Sequence, residues 1–341
     1  MHAFLIINPV SGDDEPNADK VPQIKRALAE AHPQLEVIYT TPERSAGTIA
    51  REAVAAGAEV VLVGGGDGTV SQVARELVKT RATLGVLPIG TFNNIARSLG
   101  LTADLDVACK VVARGHTREI DIGLANGETC FFEAAGVGLD ATLFPIGEEI
   151  KGGRWSRIFS ALRLTLLYRV QPIQMTFDRT VGEAMPAGAK FRLPPRARQQ
   201  RSLRRNAILV VVANGPYYGG GFTIAPAARL GDGRLTLSVY RHFSKFELAR
   251  HFWSISRGQY CYSPKIETYH AAEVRLESIV PLPVHVDGQP YGKLPVTLST
   301  VPKALRVFTP DRPLQGRDPD PPVALPAAEQ IDTDKFPAHA R

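Results

Sequence analysis

Four glycines surround a single aspartate in the part of this sequence best suited to chemistry. An apolar run at 60–63 leads directly into Gly-Gly-Gly-Asp-Gly at 64–68, and a helical pattern begins at Thr69. Glycine has no Cβ, so such a turn can adopt positive φ and lets a ligand approach backbone N–H groups. The start of a helix adds unpaired N–H groups and the positive end of its dipole. The stretch therefore favours phosphate binding, although an ordinary tight strand-to-helix connection explains an isolated turn of this kind equally well.

Asp67 distinguishes this turn from two standard phosphate-binding loops. A Walker A loop requires a lysine directly after its last glycine, but the next lysine is Lys79. The dinucleotide fingerprint fits Gly64 and Gly66 and has Thr69 in place of its third glycine. A carboxylate beside bound phosphate is repelled unless a cation bridges them or a proton is shared. The aspartate therefore predicts a Mg²⁺ ion at this turn.

The first third of the chain alternates strand and helix patterns, which predicts the frame that positions this turn. Strands are expected at 3–7, 35–39, 60–63 and 84–88, and helices at 20–31, 45–56, from 69 onward and 104–114. Continuous apolar strands separated by helices are typical of a parallel sheet covered on both faces. Ligands of such sheets bind beyond the carboxyl ends of the strands. We expect the turns at 8–12, 64–68 and 88–94 to converge there on one ligand.

Short strand patterns and tight turns replace this alternation from Asp121 onward. Strands are expected at 129–135, 172–178, 206–213, 234–240, 265–270, 272–277, 283–286, 295–299 and 303–308, and helices at 154–169 and 244–257. We therefore predict a nucleotide-binding α/β domain at 1–120, a β-rich domain at 121–309 and a disordered tail, rich in proline and charge, at 310–341.

Composition sets limits on function without choosing it. The chain of 341 residues, 44% apolar and 22% charged, is expected to fold as two globular domains. Its three cysteines form no Cys-x-x-Cys pair, which argues against a disulfide framework or a zinc site. No signal peptide or spanning segment is recognisable, so we expect a cytoplasmic protein. The net charge of +6 is a modest attraction to phosphates, anionic lipid or nucleic acid.

Several motifs in fixed order carry a resemblance to a known family. "NPVSG" (8–12), "GGDGT" (65–69), "LPIGTFNNIARSLGL" (87–101), "REIDIG" (118–123), "FEAAGVGLDA" (132–141), "NGPYYGGGFTIAPAARLGDGRLTL" (214–237) and "VDGQP" (286–290) resemble the diacylglycerol kinase and sphingosine kinase catalytic family, in its bacterial soluble lipid kinase branch. The resemblance covers about residues 3–308. It implies a nucleotide-binding parallel α/β domain followed by a β-sandwich-like domain, with the active site in the cleft between them. It also implies ATP- and magnesium-dependent phosphorylation of a lipid hydroxyl.

The resemblance also implies roles for individual residues. The nucleotide would be held by Asn8, Ser11, Gly12, Thr41, Gly65, Gly66, Gly68, Thr69, Thr91, Asn93 and Arg97. Magnesium would be held by Asp67 and Asp121, with a second, structural ion at Asp232, and the catalytic residues would be Asp67, Asp121, Asp287 and Gln289. Three of these have plainer alternatives: Arg97 as a solvated helix residue, Asp121 as a cap of local N–H groups, and Asp232 as part of a hairpin turn.

This chain departs from the family pattern at three places. The late motif usually reads Asp-Gly-Glu but here ends in Gln289, whose neutral amide cannot accept a proton. Proton removal then falls to Asp67, to Asp287 or to the departing phosphoryl group. Asn94 stands where many members carry aspartate, and the first loop has acidic residues at 13–15 where glycine and lysine are frequent.

Two segments are candidates for contact with a membrane surface. The predicted helix at 154–169 carries an apolar stripe flanked by arginines, and the run at 190–205 contains seven basic residues and no acidic residue. Anionic lipid attracts such segments. The stripe could instead face the protein core, and the run could be a solvated loop; it lacks the interleaved aromatics expected for nucleic acid. We expect a lipid partner, peripheral contact at the inner membrane face and no nucleic acid, with the oligomeric state, including a homodimer, left open.

Three functions remain open from the sequence. The first is a lipid kinase whose acceptor is undecided. The second is an NAD kinase or phosphofructokinase-like activity, because those families share a Gly-Gly-Asp turn. The third is a non-catalytic protein that binds nucleotide or lipid, which the neutral Gln289 suggests.

Overall fold

The computed structural model describes residues 2–11, 17–143, 163–165, 167–181, 200–241, 243–256, 263 and 265–311. Its first part contains β1 (Ala3–Ile7), α1 (Val21–Leu28), β2 (Leu35–Tyr39), α2 (Ala46–Ala55), β3 (Val60–Gly65), α3 (Asp67–Leu77), β4 (Thr83–Pro88), α4 (Asn94–Ser98) and α5 (Leu105–Arg114). A 3₁₀ turn, Asn17–Lys20, precedes α1.

Strands and hairpins dominate the rest of the described chain. They are β5 (Thr117–Ala125), β6 (Thr129–Phe131), β7 (Ala134–Gly138), β8 (Gln171–Val181), β9 (Gln200–Ala207), β10 (Leu209–Ala213), β11 (Tyr217–Tyr218), β12 (Phe222–Thr223), β13 (Leu235–Tyr240), α6 (Lys245–Ser256), β14 (Ile266–Ala271), β15 (Glu273–Glu277), β16 (Pro283–Val286), β17 (Gln289–Lys293) and β18 (Val296–Phe308).

The first four strands form the predicted parallel sheet. Their order is β2-β1-β3-β4, and each neighbouring pair is parallel. Every residue of β1, β3 and β4 is buried, which explains why these strands are apolar throughout instead of alternating. Helices α2 and α3 pack against each other, as do α1 and α5. The carboxyl ends of all four strands therefore lie along one edge.

Strand β18 joins this parallel sheet to the second part of the chain. Its first residues pair antiparallel with β5 and β15, and its last residues pair parallel with β4. The register with β5 shifts between Val301 and Leu305, and Lys303 in that interval has φ +50°. The two strands predicted at 295–299 and 303–308 are thus one bulged strand. Because Val307 and Phe308 lie in the core of the first part, β18 helps to build the core that β1 to β4 form.

The second part is a β-sandwich-like arrangement, as predicted. An antiparallel sheet of order β14-β13-β10-β7-β16-β17 lies apart from the large sheet, whose order continues from β4 through β18, β15, β8 and β9. One core cluster contains side chains of both sheets, among them Val137, Val212 and Leu237 from one and Met175 and Leu298 from the other. The two sheets therefore bury their inner faces against each other.

Some predictions were corrected and others fall outside the described residues. The predicted domain limit at 120 lies inside β5. The domain limits stay a prediction. Residues 200–205, expected in a loop, are part of β9. Helix α6 matches the helix predicted at 244–257. Most of the helix predicted at 154–169 and of the tail at 310–341 is outside the described residues. Within the described part, no helix is long and apolar enough to cross a membrane.

We predict that Leu305→Ala destabilises the protein although it lies far along the chain from β1 to β4. Leu305 is 2% exposed and belongs to the core of the first part. Removing its branched side chain should lower the free energy of unfolding by about 2–5 kcal/mol. The neighbouring Arg306→Ala, which removes only an exposed ion pair with Glu119, should cost about 0–1 kcal/mol. Equal effects in chemical denaturation would show that β18 is not part of this core.

Candidate active site

Hydrogen bonds join the three predicted turns at one edge of the parallel sheet. The Asn8 side-chain amide donates from Nδ2 to Thr69 Oγ1 at 3.0 Å, and the Asn8 backbone N–H donates to the carbonyl of Gly64. Asn8 follows β1, and Thr69 lies in the first turn of α3. The turn after β2 reaches the same edge, because Thr40 N donates to Ile7 O at 2.9 Å. The third predicted turn joins them through Ile95, which directly follows it and whose N–H donates to Asp67 Oδ1 at 2.9 Å, so the three turns lie together as predicted.

The glycines of the 64–68 turn provide space and do not adopt positive φ. Positive φ is absent from Gly64, Gly65, Gly66 and Gly68, which corrects the expectation from sequence. A Cβ on Gly64 would lie 2.6 Å from Ile7 Cδ1, and a Cβ on Gly65 would lie 2.8 Å from Thr69 Cβ. These positions are therefore limited by packing.

Gly66 and Gly90 bring the second and third turns into direct backbone contact. A Cβ on Gly90 would lie 2.3 Å from Gly66 Cα and 2.8 Å from Gly66 N. The turn that contains Gly90 is closed by Asn93, whose Oδ1 accepts from Gly90 N at 3.0 Å and whose Nδ2 donates to Gly90 O at 2.6 Å. Asn93 has φ +52°, a conformation that asparagine tolerates better than most residues. The amide thus shapes this turn.

Asp67 links two helices at the point where these turns meet. It begins α3, two residues earlier than the sequence suggested, and its Oδ1 accepts the N–H of Ile95 in the first turn of α4 at 2.9 Å. Burial raises the pKa of Asp67, while the N–H groups of Ile95 and Asn94 and the charge of Arg97 act in the opposite direction. The carboxylate is therefore fixed in position beside a cation and two helix N-termini.

Helix α4 connects the first part of the chain to the second through side-chain hydrogen bonds. Asn94 Nδ2 donates to Glu133 Oε2 at 3.0 Å and to Gly219 O at 2.8 Å. Arg97 donates from Nη1 to Gly221 O at 3.0 Å, and its guanidinium lies 4.0 Å from the centre of the Tyr217 ring. Arg97 is thus ordered at the junction, unlike the solvated helix residue of the alternative interpretation.

Glu133 is a site residue that sequence reasoning did not select. It is 7% exposed and lies between β6 and β7. Its Oε2 also accepts the N–H of Gly219 at 3.2 Å. Burial, followed by the negative charges of Asp67 and Asp287, raises its pKa well above the ordinary value. In the sequence Glu133 lies in the "FEAAGVGLDA" motif, which resembles the family pattern. No neighbouring residue in that motif indicates a functional role for the glutamate.

Asp287 uses both of its oxygens to hold the segment that carries Glu133. Oδ2 accepts the N–H of Phe132 at 2.9 Å, and Oδ1 accepts those of Glu133 and Ala134 at 2.9 and 3.2 Å. Asp287 has φ +46°. The adjacent Gln289 is exposed at the start of β17. The contacts of Asp287 are those of a structural carboxylate, although the sequence proposed it as a proton acceptor.

Asp121 and Asp232 form a separate group, away from the hydrogen bonds of the glycine turn. Asp121 accepts the N–H of Gly233 at 2.7 Å and that of Lys303 at 2.9 Å, so both of its oxygens contact backbone amides. Asp232 accepts the N–H of Arg234 at 3.0 Å within the turn that leads into β13. These contacts favour the capping and hairpin-turn alternatives. No group of three His, Cys, Asp or Glu among the described residues could hold a metal ion by itself.

Three further predicted nucleotide-binding residues, Ser11, Thr41 and Thr91, lie in the turns at the same edge of the sheet. Ser11 Oγ donates to Asn8 O at 3.3 Å, and the buried Asn17 joins both residues through its Nδ2. Thr41 is exposed in the turn after β2 and accepts from Arg44 N at 3.1 Å, and Thr91 is exposed in the turn after β4. Gly12 lies outside the described residues.

Comparison with known proteins agrees with this geometry. The family model described as "Diacylglycerol kinase catalytic domain" matches residues 2–125, which include all three turns. The model described as "YegS C-terminal NAD kinase beta sandwich-like domain" matches residues 150–309. The chain therefore combines a diacylglycerol kinase catalytic domain with a YegS-type C-terminal domain. The family model and the names of its relatives indicate a kinase.

Individual relatives of this chain align along nearly their whole length. A diacylglycerol kinase of Staphylococcus saprophyticus is 25% identical over 313 residues, which are 91% of this chain and 95% of that protein. The "Probable lipid kinase YegS" of Salmonella dublin is 28% identical over 317 residues, 92% and 97% of the two chains. A solved diacylglycerol kinase structure from Bacillus anthracis superposes with a TM-score of 0.67 at 21% identity, covering 91% of this chain and 97% of that one. The last comparison shows the shared fold.

We predict that Gly90→Ala separates the second and third turns, because the new Cβ would collide with the Gly66 backbone. The expected cost in the free energy of unfolding is about 1–3 kcal/mol. Gly68→Ala is the matched control, since a Cβ there has no atom within 4 Å and alanine favours the helix. Chemical denaturation of both variants checks the difference, and an unchanged Gly90→Ala protein would contradict the close approach.

Proposed function

We propose that this protein is an ATP- and Mg²⁺-dependent lipid kinase that transfers the terminal phosphoryl group of ATP to a lipid hydroxyl such as that of diacylglycerol. The observation that carries the proposal is the position of Asp67. It lies where the three turns meet, at the start of α3 and within electrostatic reach of Arg97. A carboxylate fixed between a bare glycine turn and an arginine suits a metal-bridged phosphate.

The residues of the sheet edge fit a nucleoside triphosphate. The backbone at Gly65, Gly66 and Gly68 is free of side chains. The N–H groups of Thr69 and Val70 donate to Gly66 O, which leaves those of Asp67 and Gly68 at the start of α3 without a carbonyl partner. Asn8 and Thr69 are already oriented by their mutual hydrogen bond. Phosphate oxygens would be held by these donors and by Arg97, which can offer further guanidinium N–H groups.

The chemistry of the site fits a magnesium ion that shares its coordination with phosphate. Mg²⁺ takes oxygen ligands and usually combines one or two carboxylates with substrate phosphates and water. Asp67 would supply such a carboxylate. Asn94 is 1% exposed, and its Oδ1 has no hydrogen-bond partner within the described residues. An unpaired buried oxygen beside this site is consistent with an absent ion or water.

Magnesium, when bound, would neutralise the charge of the phosphates during transfer. Phosphoryl transfer has a loose transition state, so the protein contributes mainly alignment and charge neutralisation. Arg97 can do both, because its contacts with Gly221 O and the Tyr217 ring hold the guanidinium in place. Asp67 fixes the start of α4, and with it the position of Arg97.

A lipid acceptor is supported by apolar side chains at the site. Val10 on the first turn is 87% exposed and Phe92 on the third turn is 39% exposed. Exposed apolar side chains beside a polar site favour an apolar partner. The matched relatives are named diacylglycerol kinase and lipid kinase, which supports the same class of acceptor. The second candidate is an NAD kinase-like activity, favoured by the description of the second family model.

One labelling experiment separates these functions. The purified protein is incubated with γ-labelled ATP, Mg²⁺ and separate pools of lipid extract, NAD and sugar phosphate. We expect label in the lipid pool alone, and the labelled species then identifies the acceptor. Label confined to NAD would refute the lipid assignment, and ATP binding without transfer to any pool would favour a non-catalytic protein.

We predict that Asp67→Asn lowers kcat by about 10²–10³-fold, because it removes the charge but keeps an oxygen that can cap α4. Calorimetry should show weaker binding of Mg²⁺-ATP. The matched control is Asp104→Asn, which makes the same change at the cap of α5, where Asp104 Oδ1 accepts from Asp106 and Val107. Full activity of Asp67→Asn would remove this carboxylate from the mechanism.

We also propose that the basic run at 190–205, of which the structure describes residues 200–205, contacts anionic lipid. Arg201 and Arg204 are exposed on β9, whereas Arg205 is paired with the buried Glu267. Neutralising Arg201 and Arg204 to glutamine should weaken binding to vesicles containing phosphatidylglycerol by about 1 kcal/mol for each residue. The control removes two exposed arginines of the helices, Arg26 and Arg114, also to glutamine. Vesicle cosedimentation that falls equally in both double variants would reject a specific docking surface.

A further inference from the structure

The carboxylates of the second part of the chain differ in how their oxygens are used. Both oxygens of Asp287 and both oxygens of Asp121 accept backbone N–H groups. Glu133 uses only Oε2, which accepts from Asn94 Nδ2 and Gly219 N. Its Oε1 accepts no hydrogen bond from the described residues. Glu133 therefore keeps one oxygen available for a ligand.

The backbone of Glu133 is held on both sides, so the side chain has a fixed base. Its N–H donates to Asp287 Oδ1 at 2.9 Å, and its carbonyl accepts from Asn214 N at 2.9 Å. Helix α4 then fixes the carboxylate through Asn94. Functional groups are effective when neighbouring contacts restrict them in this way.

Glu133 is buried, with 7% of its surface exposed. No lysine, arginine or histidine among the described residues forms an ion pair with it. A buried carboxylate without a cation gains stability when it takes up a proton. Burial raises the pKa of Glu133, which makes it a better proton acceptor than a solvated glutamate. The neutral Asn94 and Gln289 cannot accept a proton.

We propose that Glu133 is the general base that accepts the proton of the acceptor hydroxyl, an inference that rests on the proposed kinase function. The hydroxyl gives its proton to Glu133 Oε1, and its oxygen forms a bond to the terminal phosphorus of the nucleoside triphosphate. The bond from that phosphorus to the bridging oxygen breaks, and its electron pair leaves on the nucleoside diphosphate. The proton passes from Glu133 to water after the product departs.

The test compares Glu133→Gln with the wild type and with Glu119→Gln, which removes one exposed carboxylate elsewhere. A glutamine at 133 can still accept from Asn94 and Gly219 through its amide oxygen. We expect kcat to fall by about 10²–10⁴-fold, with KM for ATP and for the lipid changed less than about threefold. Glu133→Asp should recover part of the activity. Binding of a non-hydrolysable ATP analogue with Mg²⁺, measured by calorimetry, and Tm should stay at their wild-type values.

A second acceptor with a more acidic hydroxyl tests whether Glu133 acts as a base. A lipid analogue with a fluorinated, more acidic hydroxyl needs less help from a base, so the defect of Glu133→Gln should shrink with that acceptor. A purely structural role would lower both reactions equally.

The outcomes separate the inference from the proposed function. A wild type that transfers phosphate to lipid, together with Glu133→Gln at wild-type kcat, overturns the general base alone. A loss of kcat accompanied by lower Tm and weaker binding of the analogue also overturns it, because Glu133 would then be structural. A wild type that transfers nothing to a lipid hydroxyl overturns both.

Discussion

The site depends on two backbone segments that touch because Gly90 carries no side chain at the point of contact. Gly66 and Gly90 end turns that follow adjacent parallel strands, and a Cβ on Gly90 would overlap the Gly66 backbone. The strand spacing of the sheet brings the two turns near each other, and the missing Cβ of Gly90 lets them meet. This contact lets Asp67 on one turn cap the helix that begins after the other.

From this contact the structure extends to the second part of the chain through helix α4. Asp67 fixes the start of α4, Asn94 then contacts Glu133, and Asp287 holds the backbone of Glu133. A series of hydrogen bonds therefore links the glycine turn to the 287–289 turn, although these residues are far apart in sequence. Strand β18 provides a second connection, since it pairs with β4 and with β15. Groups from both parts can face one ligand because these connections fix their relative position.

Local hydrogen bonding separates the acidic residues into different roles. Asp121 and Asp287 are satisfied by backbone N–H groups, an arrangement that holds loops together. Asp67 lies beside Arg97 at the glycine turn, and Glu133 is buried without an ion-pair partner among the described residues. All four side chains are carboxylates. The number of N–H groups that each carboxylate accepts, and the depth at which it is buried, decide which ones remain available for chemistry.

The parallel sheet was predictable because its information is local. Apolar runs such as 60–63, and glycine turns directly after them, determine strands and the edge where their ends meet. For the same reason the family motifs could be read in order. The sequence could not show that the glycines of the 64–68 turn act through packing instead of positive φ, since both need the same residue type.

The sequence predicted correctly that the second part of the chain is rich in β-strands, but it predicted the pairing of those strands less well. Alternating patterns indicate strands, but they do not say which strands pair, so β18 was divided in two and its return to the first core was missed. Glu133 was missed because its role comes from burial and from contacts with Asn94 and Gly219, which are distant in sequence. The sequence by itself determined the elements, the glycine turns and the presence of Asp67. Only the tertiary structure decided which carboxylates are already satisfied, because the N–H groups that satisfy them come from distant parts of the chain.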